Sequence, residues 1–474
     1  MNILLVSQNQ EKVPYPVLPL GVCCVAEALE KAGHSVSVLD LCFERDTAAA
    51  IARAVGRSRP GLIGIGIRNL DNCDYWRPKN FVPDALRIVE ECRAAAPGIP
   101  VVIGGSAVGV MPAAVLRATG ADYAVAGDGE RAAVQLARAL ESGGDPRPLA
   151  GVCSTNPDGT VRVNPQDRVP VLDALAPPRV YRWVDVVPYM NFEGVYPLQS
   201  KRGCALGCIY CTYTNIEGRL YRMKSGEQVA DEIEDVMSRS SVRDFEFVDS
   251  TFNLPESHAL DICDAVIRRR LGARFIGSGL NPVSVSERLL GRMKEAGFRS
   301  LICTAESASD PVIRNLGKGF TRAHLERIAG LTRKLGLRTL WIFLVGGPGE
   351  TPGTVQETLD FFHRFAAPGD VGYVSNGIRI YPRTPLARMA IAEGVIRSED
   401  ELIEPRFYFS KALDRDELRE TMSRHSRRDP RLVTSESSQS PIVPFGLRLL
   451  AMLGVRKPFW RFAPVLNRVL RCVS

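Results

Sequence analysis

The feature that most constrains this chain is a rhythm: short β-branched runs alternate with amphipathic helical stretches, and the rhythm is played twice with a break between. Strands separated by helices pair in parallel, because each needs a crossover to return beside its predecessor, so the chain reads as α/β. In residues 1–140 the runs are Ile3–Val6, Val36–Leu39, Leu62–Ile67, Pro100–Ile103 and Tyr123–Ala126. Between the first two, Leu18, Val22, Val25 and Leu29 share one helical face, and Gly33 ends that helix. A doubly wound domain is predicted, with its ligand beyond the carboxyl ends of the strands. The segments there are Ser7–Gly21, Arg68–Trp76, Gly104–Val110 and Gly127–Glu130. No GxGxxG follows the first strand, so the glycine turns point to close backbone approach to a large flat ligand rather than to a dinucleotide.

Residues 141–190, rich in proline, aspartate and glycine, read as a linker with a small hairpin around Gly151–Val163. From 191 to 390 the alternation resumes in six units. Their strands are Val195–Leu198, Phe245–Val248, Arg274–Gly277, Ser300–Cys303, Thr339–Val345 and Gly372–Ile380, which predicts a partial (β/α)6 barrel. Residues 391–474 read as a small, mostly helical region in which Ser426–Pro444 is a polar, mobile connection. The tail Phe445–Ser474 carries six Lys or Arg and no acid among apolar residues that include Phe459 and Trp460. Two expectations stay open for it: peripheral contact with an anionic membrane, or a helix packed on the barrel.

Composition closes other routes. A net charge of +7 over 474 residues, with acids and bases interleaved, gives no nucleic-acid-binding stripe. No apolar run approaches the roughly 20 residues that span a bilayer, and MNILLVSQNQ is not a secretory signal, so a cytoplasmic protein is expected. Twelve cysteines in such a chain are mostly buried thiols.

Three of them are different. Cys204, Cys208 and Cys211, in KRGCALGCIYC, have the spacing CxxxCxxC just after the first strand of the second unit. A 4Fe-4S cluster has four irons, so three thiolates leave one open, and Gly203 and Gly207 let the loop fold tightly around it. A structural zinc would want a fourth Cys or His nearby, and none is present at finger spacing.

On this triplet and the barrel pattern the chain resembles the radical S-adenosylmethionine (SAM) enzymes, which cleave SAM reductively at the open iron to a 5'-deoxyadenosyl radical. The resemblance implies further site residues. Tyr210 packs near the adenine. Asp249, in FVDSTFN, neighbours the methionine amino group unless it is a cap or turn residue. Ser278 and Asn281 reach the methionine carboxylate. Glu306, in CTAES, binds the ribose hydroxyls unless it is an exposed loop acid. Gly346 and Gly347, in FLVGGPGET, form a turn beside the adenosine, and Glu350 caps the next helix. Arg379 and Tyr381, in RIYPRTPLA, face substrate at the barrel mouth; Arg383 stands where the family segment has glycine.

The order of the two units, with PLGVCCVAEALEKAGHSVSVLD, VVIGGSAVGVMPAAVL and ADYAVAGDGE, resembles the cobalamin-binding branch of that family over residues 1–390. It implies cobalamin contacts at Gly104, Gly105, Ser106, Gly127, Gly129 and Glu130. The DxHxxG that supplies a lower imidazole ligand is absent, and His34, before the second strand, reads as a solvated turn histidine. Cobalt is then expected without protein histidine, its lower face covered by Ser7–Gly21 or Asn69–Trp76. The resemblance implies a methyltransferase that uses one SAM to charge cobalamin and a second for the radical, acting on an unactivated carbon of a natural-product or lipid intermediate. Its partners would be a small-molecule substrate and a reducing protein such as flavodoxin or ferredoxin. A non-methylating cyclisation, ring contraction or oxidation, or a non-catalytic regulator, are the alternatives.

Overall fold

Both rhythms become parallel sheets in the computed structural model, which describes residues 1–438 except Pro14 and Glu193, and residues 446, 449–450, 452–453, 455 and 458–465. Strands β1 (Asn2–Ser7), β2 (Ser35–Asp40), β3 (Leu62–Gly66), β4 (Val101–Gly104) and β5 (Tyr123–Val125) are parallel in the order β2-β1-β3-β4-β5. β6 (Val152–Thr155) adds antiparallel to β5, and β7 (Val161–Val163) adds antiparallel to β6. The order turns back between β1 and β3, and there, past Ser7 and Gly66, an α/β sheet opens its ligand crevice. The hairpin expected in the linker is thus the outer edge of this sheet. The rest of the linker is tied down rather than free: Arg179 and Trp183 donate to the buried Glu27 carboxylate, and the Tyr189 hydroxyl donates to Asp40 at 2.6 Å.

The second half supplies β8 (Tyr196–Leu198), β9 (Lys201–Arg202), β10 (Arg222–Met223), β11 (Asp244–Phe247), β12 (Arg274–Leu280), β13 (Phe298–Glu306), β14 (Arg338–Val345), β15 (Val371–Asn376), β16 (Ile378–Arg379), β17 (Phe407–Tyr408) and β18 (Leu432–Thr434). Seven of these form one parallel sheet in the order β18-β15-β14-β13-β12-β11-β8, the six expected barrel strands plus β18. β18 pairs with β15 at Gly372↔Leu432, after a helix Arg415–Arg428. This corrects the reading of Ser426–Pro444 as a mobile connection as far as residue 438; its last residues lie outside the described ones. β11 shows the alternation: Phe245 and Phe247 point to a core of aromatic rings that includes Phe275 and Phe298, which leaves Glu246 on the opposite face.

The halves share their cores. Leu18, Cys23 and Cys42 pack with Tyr189, Tyr196 and the barrel residues, while Val312, Leu316, Ile378, Ile380 and Leu386 belong to the core built on β1, β3 and β4. No described helix is long and apolar enough to cross a membrane. Of the tail, Arg448, Arg456, Lys457, Arg468 and Arg471 lie outside the described residues; Phe459 is buried, and Leu449, Met452, Leu453 and Val465 are exposed.

Candidate active site

The cysteine loop is an excursion between the two ends of a tiny ribbon. β9 and β10 pair antiparallel at Arg222↔Arg202 and Met223↔Lys201, and residues 203–221 bulge out between them. Gly203 has φ +94°, and a Cβ there would stand 2.1 Å from the Leu220 carbonyl oxygen, so only glycine fits. Backbone bonds then fix the loop: Cys204 N–H to Gly218 O at 2.9 Å, Cys211 N–H to Cys208 O at 3.3 Å, and Ile209 N–H to Leu316 O at 3.1 Å. Cys204 is buried and Cys208 and Cys211 half-buried. Burial pushes the Cys208 thiol up and the Cys211 thiol to about 12, and the nearby cysteines add to the rise. Thiols so placed ionise when a cation binds them. Among the described residues no three His, Cys, Asp or Glu side chains are grouped to hold one metal ion.

Asp249 is engaged by this loop. Its carboxylate accepts from Ser200 N–H (2.8 Å), Ser200 Oγ (2.5 Å) and Lys201 N–H (3.1 Å), the turn role that the sequence left open beside the methionine amino group. Lys201, fully buried, donates to the carbonyls of Phe252 (2.7 Å) and Leu254 (2.6 Å), and burial pulls its ammonium down to about 8. Asn281 is engaged likewise: its side chain caps Val283 N–H, and its backbone is held on both sides by Asn253.

Tyr210 and Glu306 do come together. The Tyr210 hydroxyl donates to Glu306 at 2.7 Å, and Lys318 donates to Glu306 at 3.0 Å and to the Tyr210 oxygen at 3.2 Å. Glu306 holds φ +59°, a left-handed conformation rare outside glycine and a mark of a position built for a task. Burial works to lower the Lys318 pKa, but Glu306 outweighs it and holds the ammonium charged. Sequence reading missed Lys318, whose one signal is its place between Gly317 and Gly319.

Gly346 has φ +114° and packs against Phe409 and Gly377. Its N–H and that of Gly347 donate to Glu350 Oε2 at 2.5 and 2.9 Å, so Glu350 turns back onto the glycine turn, while Thr351 caps the next helix. Burial lifts the Glu350 carboxyl to about 7, and its Oε1 has no partner among the described residues. Ser278 sits in the irregular end of β12 and donates to Glu246. Burial raises the Glu246 pKa against the opposing pull of Ser278, Arg68 and the Tyr15 hydroxyl. Glu246, Tyr15 and Arg68 were also missed, although the alternation in FEF marks Glu246 as facing away from the core.

The supposed substrate contacts are domain contacts. Arg379, 5% exposed, donates to Asp71 at 2.7 Å and to the carbonyls of Ile380 and Leu402, leaving little to offer a ligand. The Tyr381 hydroxyl stands 3.0 Å from Cys73 Sγ. Arg383 explains the family glycine: it too has positive φ, +59°, and donates to the last carbonyls of the helix Ser106–Val110 at Gly109 (2.8 Å) and Val110 (2.7 Å).

At the carboxyl edge of the first sheet, Gly105 (φ +98°) passes so near the Ile67 carbonyl that a Cβ would stand 2.4 Å from its oxygen, and Gly105 and Ser106 remain exposed beside Gly104. This is a backbone cradle that suits a flat ligand. Gly127, Gly129 and Glu130 have neighbours within the protein: Gly127 lies against Gln166, Gly129 against Val25, and Glu130 accepts from Arg202. His34 is corrected: its side chain is buried beside the Met1 amino group, at the amino end of the sheet and away from the cradle.

The residues at both edges fit the groups that the comparisons identify. A family model of the B12 binding domain matches residues 9–137, and one of the radical SAM superfamily matches residues 198–362. The chain belongs to the cobalamin-binding radical SAM enzymes. The enzyme is 28% identical over 411 residues to an uncharacterized methyltransferase of Pyrococcus horikoshii, with 84% of each chain covered. It is 25% identical over 452 residues to the tryptophan 2-C-methyltransferase of Streptomyces laurentii, covering 82% of this chain and 74% of that one. Its fold matches the radical SAM methyltransferase TsrM of Kitasatospora setae, solved with tryptophan substrate and a SAM analog, at TM-score 0.86 and 25% identity over 99% of this chain and 98% of the other.

Proposed function

We propose that the enzyme is a cobalamin-dependent methyltransferase that places a methyl group on an unactivated carbon of a small organic molecule. One observation carries this. The cluster loop packs on the corrinoid edge through Ile216, which stands so near Gly109 that a Cβ there would be 3.2 Å from it, while Ile209 and Tyr210 lie against the core that both halves share. The two cofactor sites therefore open on one crevice, as transfer between them requires. The relatives named as methyltransferases support the same reading.

When bound, the cluster supplies the electron that cleaves SAM and cobalamin carries the methyl group. Cys204, Cys208 and Cys211 hold the first, and Gly104, Gly105 and Ser106 cradle the second. Tyr210, Glu306 and Lys318 hold the adenosine, with Glu306 facing the ribose and the Gly346–Gly347 turn beside it. Glu246, with Ser278, Tyr15 and Arg68 around it, offers a hydrogen-bond acceptor to a substrate N–H or O–H. The reading carries with it a reducing partner of the flavodoxin or ferredoxin class and a cytoplasmic setting.

Product stoichiometry tests it. With reductant, cobalamin and substrate, each methylated product should come with one S-adenosylhomocysteine and one 5'-deoxyadenosine, and label from methyl-labelled SAM should enter the product. Turnover of the true substrate without S-adenosylhomocysteine and without a gain of one methylene would discard methyl transfer in favour of a radical cyclisation, contraction or oxidation.

A further inference from the structure

The turn Gly127–Glu130 was expected to touch cobalamin through Gly127, Gly129 and Glu130, yet its carboxylates point at the cluster loop. Arg202 donates to Glu130 from both terminal nitrogens, at 3.1 and 2.5 Å, and lies 3.4 Å from Asp128. Arg222, its register partner across β9 and β10, donates to Asp128 as well and to the carbonyls of Val169 (2.7 Å) and Glu217 (2.9 Å). Two arginines directly opposite on a ribbon repel unless anions stand between them. Here the anions come from the other domain. All four side chains are nearly closed off from solvent, where a charge persists only with a partner. Only Gly203 separates Arg202 from the first cluster ligand, and Glu217 returns from the far end of the loop to accept the Gly203 N–H at 2.9 Å.

We propose that Asp128 and Glu130 are a latch that grips both strands closing the cluster loop, and that Arg202 is a positioning residue which sets the separation between cluster and cobalamin. The inference rests on the two cofactors; only the product ratio among its readouts also rests on methyl transfer. A planar guanidinium held by two carboxylates fixes direction as well as distance, which a single lysine contact would not. Breaking the latch should loosen the geometry between the cofactors while leaving each one bound.

The experiment uses full-length holoenzyme with Glu130→Gln, and Glu27→Gln as a control. Glu27 also lies buried in the first domain, but its carboxylate holds Arg179 and Trp183 of the connector rather than Arg202 or Arg222. The first readout is the broadening of the cob(II)alamin paramagnetic resonance when the cluster is reduced, which depends on their separation. The expected result for Glu130→Gln is iron and cobalamin content equal to wild type, with weaker and more heterogeneous broadening. Methylated product per 5'-deoxyadenosine should fall roughly ten- to a hundredfold, as an ångström-scale misplacement does. Glu27→Gln should match wild type in both. Loss of cobalamin from Glu130→Gln would overturn the proposal and restore the turn as a corrinoid contact. Unchanged broadening, or equal change in the control, would overturn it in favour of general loosening. Should Glu130→Gln not accumulate, Arg202→Lys, which keeps the charge but cannot span both carboxylates, is read by the same criteria.

Discussion

The cysteine loop of the barrel and the glycine turns of the first domain are built to opposite plans. Around Cys204, Cys208 and Cys211 the sequence places side chains that would bind directly, and the backbone is bent by Gly203 to present them. At Gly104 and Gly105 the backbone itself forms the cradle, and the side chains that matter are the ones left out. The difference has a consequence for inference. A thiol triplet announces its chemistry wherever it folds, whereas a glycine turn announces only a conformation. Gly105 and Gly127 both have φ +98°, but the first stays open at the sheet edge and the second is closed by Gln166 and by the chain beyond it.

The largest effect should come from removing a ligand on one side and counting the other. Cys204→Ala, Cys208→Ala and Cys211→Ala should each lose the 4Fe-4S cluster and all reductive SAM cleavage while binding cobalamin normally, as iron, sulfide and corrinoid analysis would show. Cobalamin lost together with iron would mean that the two sites do not fold separately. A smaller but still large effect is expected at the contact between domains. Asp71→Ala strands the buried Arg379 guanidinium and should lower stability by about 3–5 kcal/mol, measured by denaturant unfolding. Little change would return Arg379 to the pool of substrate contacts.

On the corrinoid side, Gly105→Ala combines a disfavoured φ with a carbonyl collision and should weaken cobalamin binding by about 1–3 kcal/mol, with iron content unchanged. Retained affinity in a titration would remove the cradle reading. Next comes Glu350, whose folded pKa of about 7 lies above the 4.5 of an unperturbed glutamate. The folded state therefore keeps this proton longer than the unfolded state. Its contribution to stability is greatest at low pH and declines as pH rises from about 4.5 to 7, by up to about 3 kcal/mol. Glu350→Gln should remove that decline, and parallel stability–pH curves for the two proteins would refute it. The smallest effect expected is none: His34→Ala should leave the cob(II)alamin resonance unaltered, without imidazole nitrogen splitting before or after.

The legible parts were those governed by local pattern. Thirteen of the strands, counting β1 to β5, the hairpin strands β6 and β7, β8 and β11 to β15, derive from β-branched runs and turn residues, and Cys204, Tyr210 and Glu306 from motif spacing. β18 was missed because three residues after a polar helix carry almost no periodic signal and pair only once β15 is in place. Charged residues were the weak point. Asp249, Glu130 and Arg379 stand at strand ends where ligands bind, but each turned toward protein, and the partner of Arg379 is 308 positions away. Nothing in either neighbourhood marks such a pair, since ion pairs between domains obey proximity in space alone.

The sharing of cores between the halves bears on how such a protein can be inherited. Val312, Leu316 and Ile378 complete the interior of the first domain, and Leu18, Cys23 and Cys42 complete that of the barrel. A recombination event at residues 164–195 that swapped either half for an unrelated one would bring in a surface not shaped to these side chains and leave them facing water. The two cofactor modules must therefore change in step, each substitution along their seam judged by the other half, so the pair behaves as one gene-sized unit of descent.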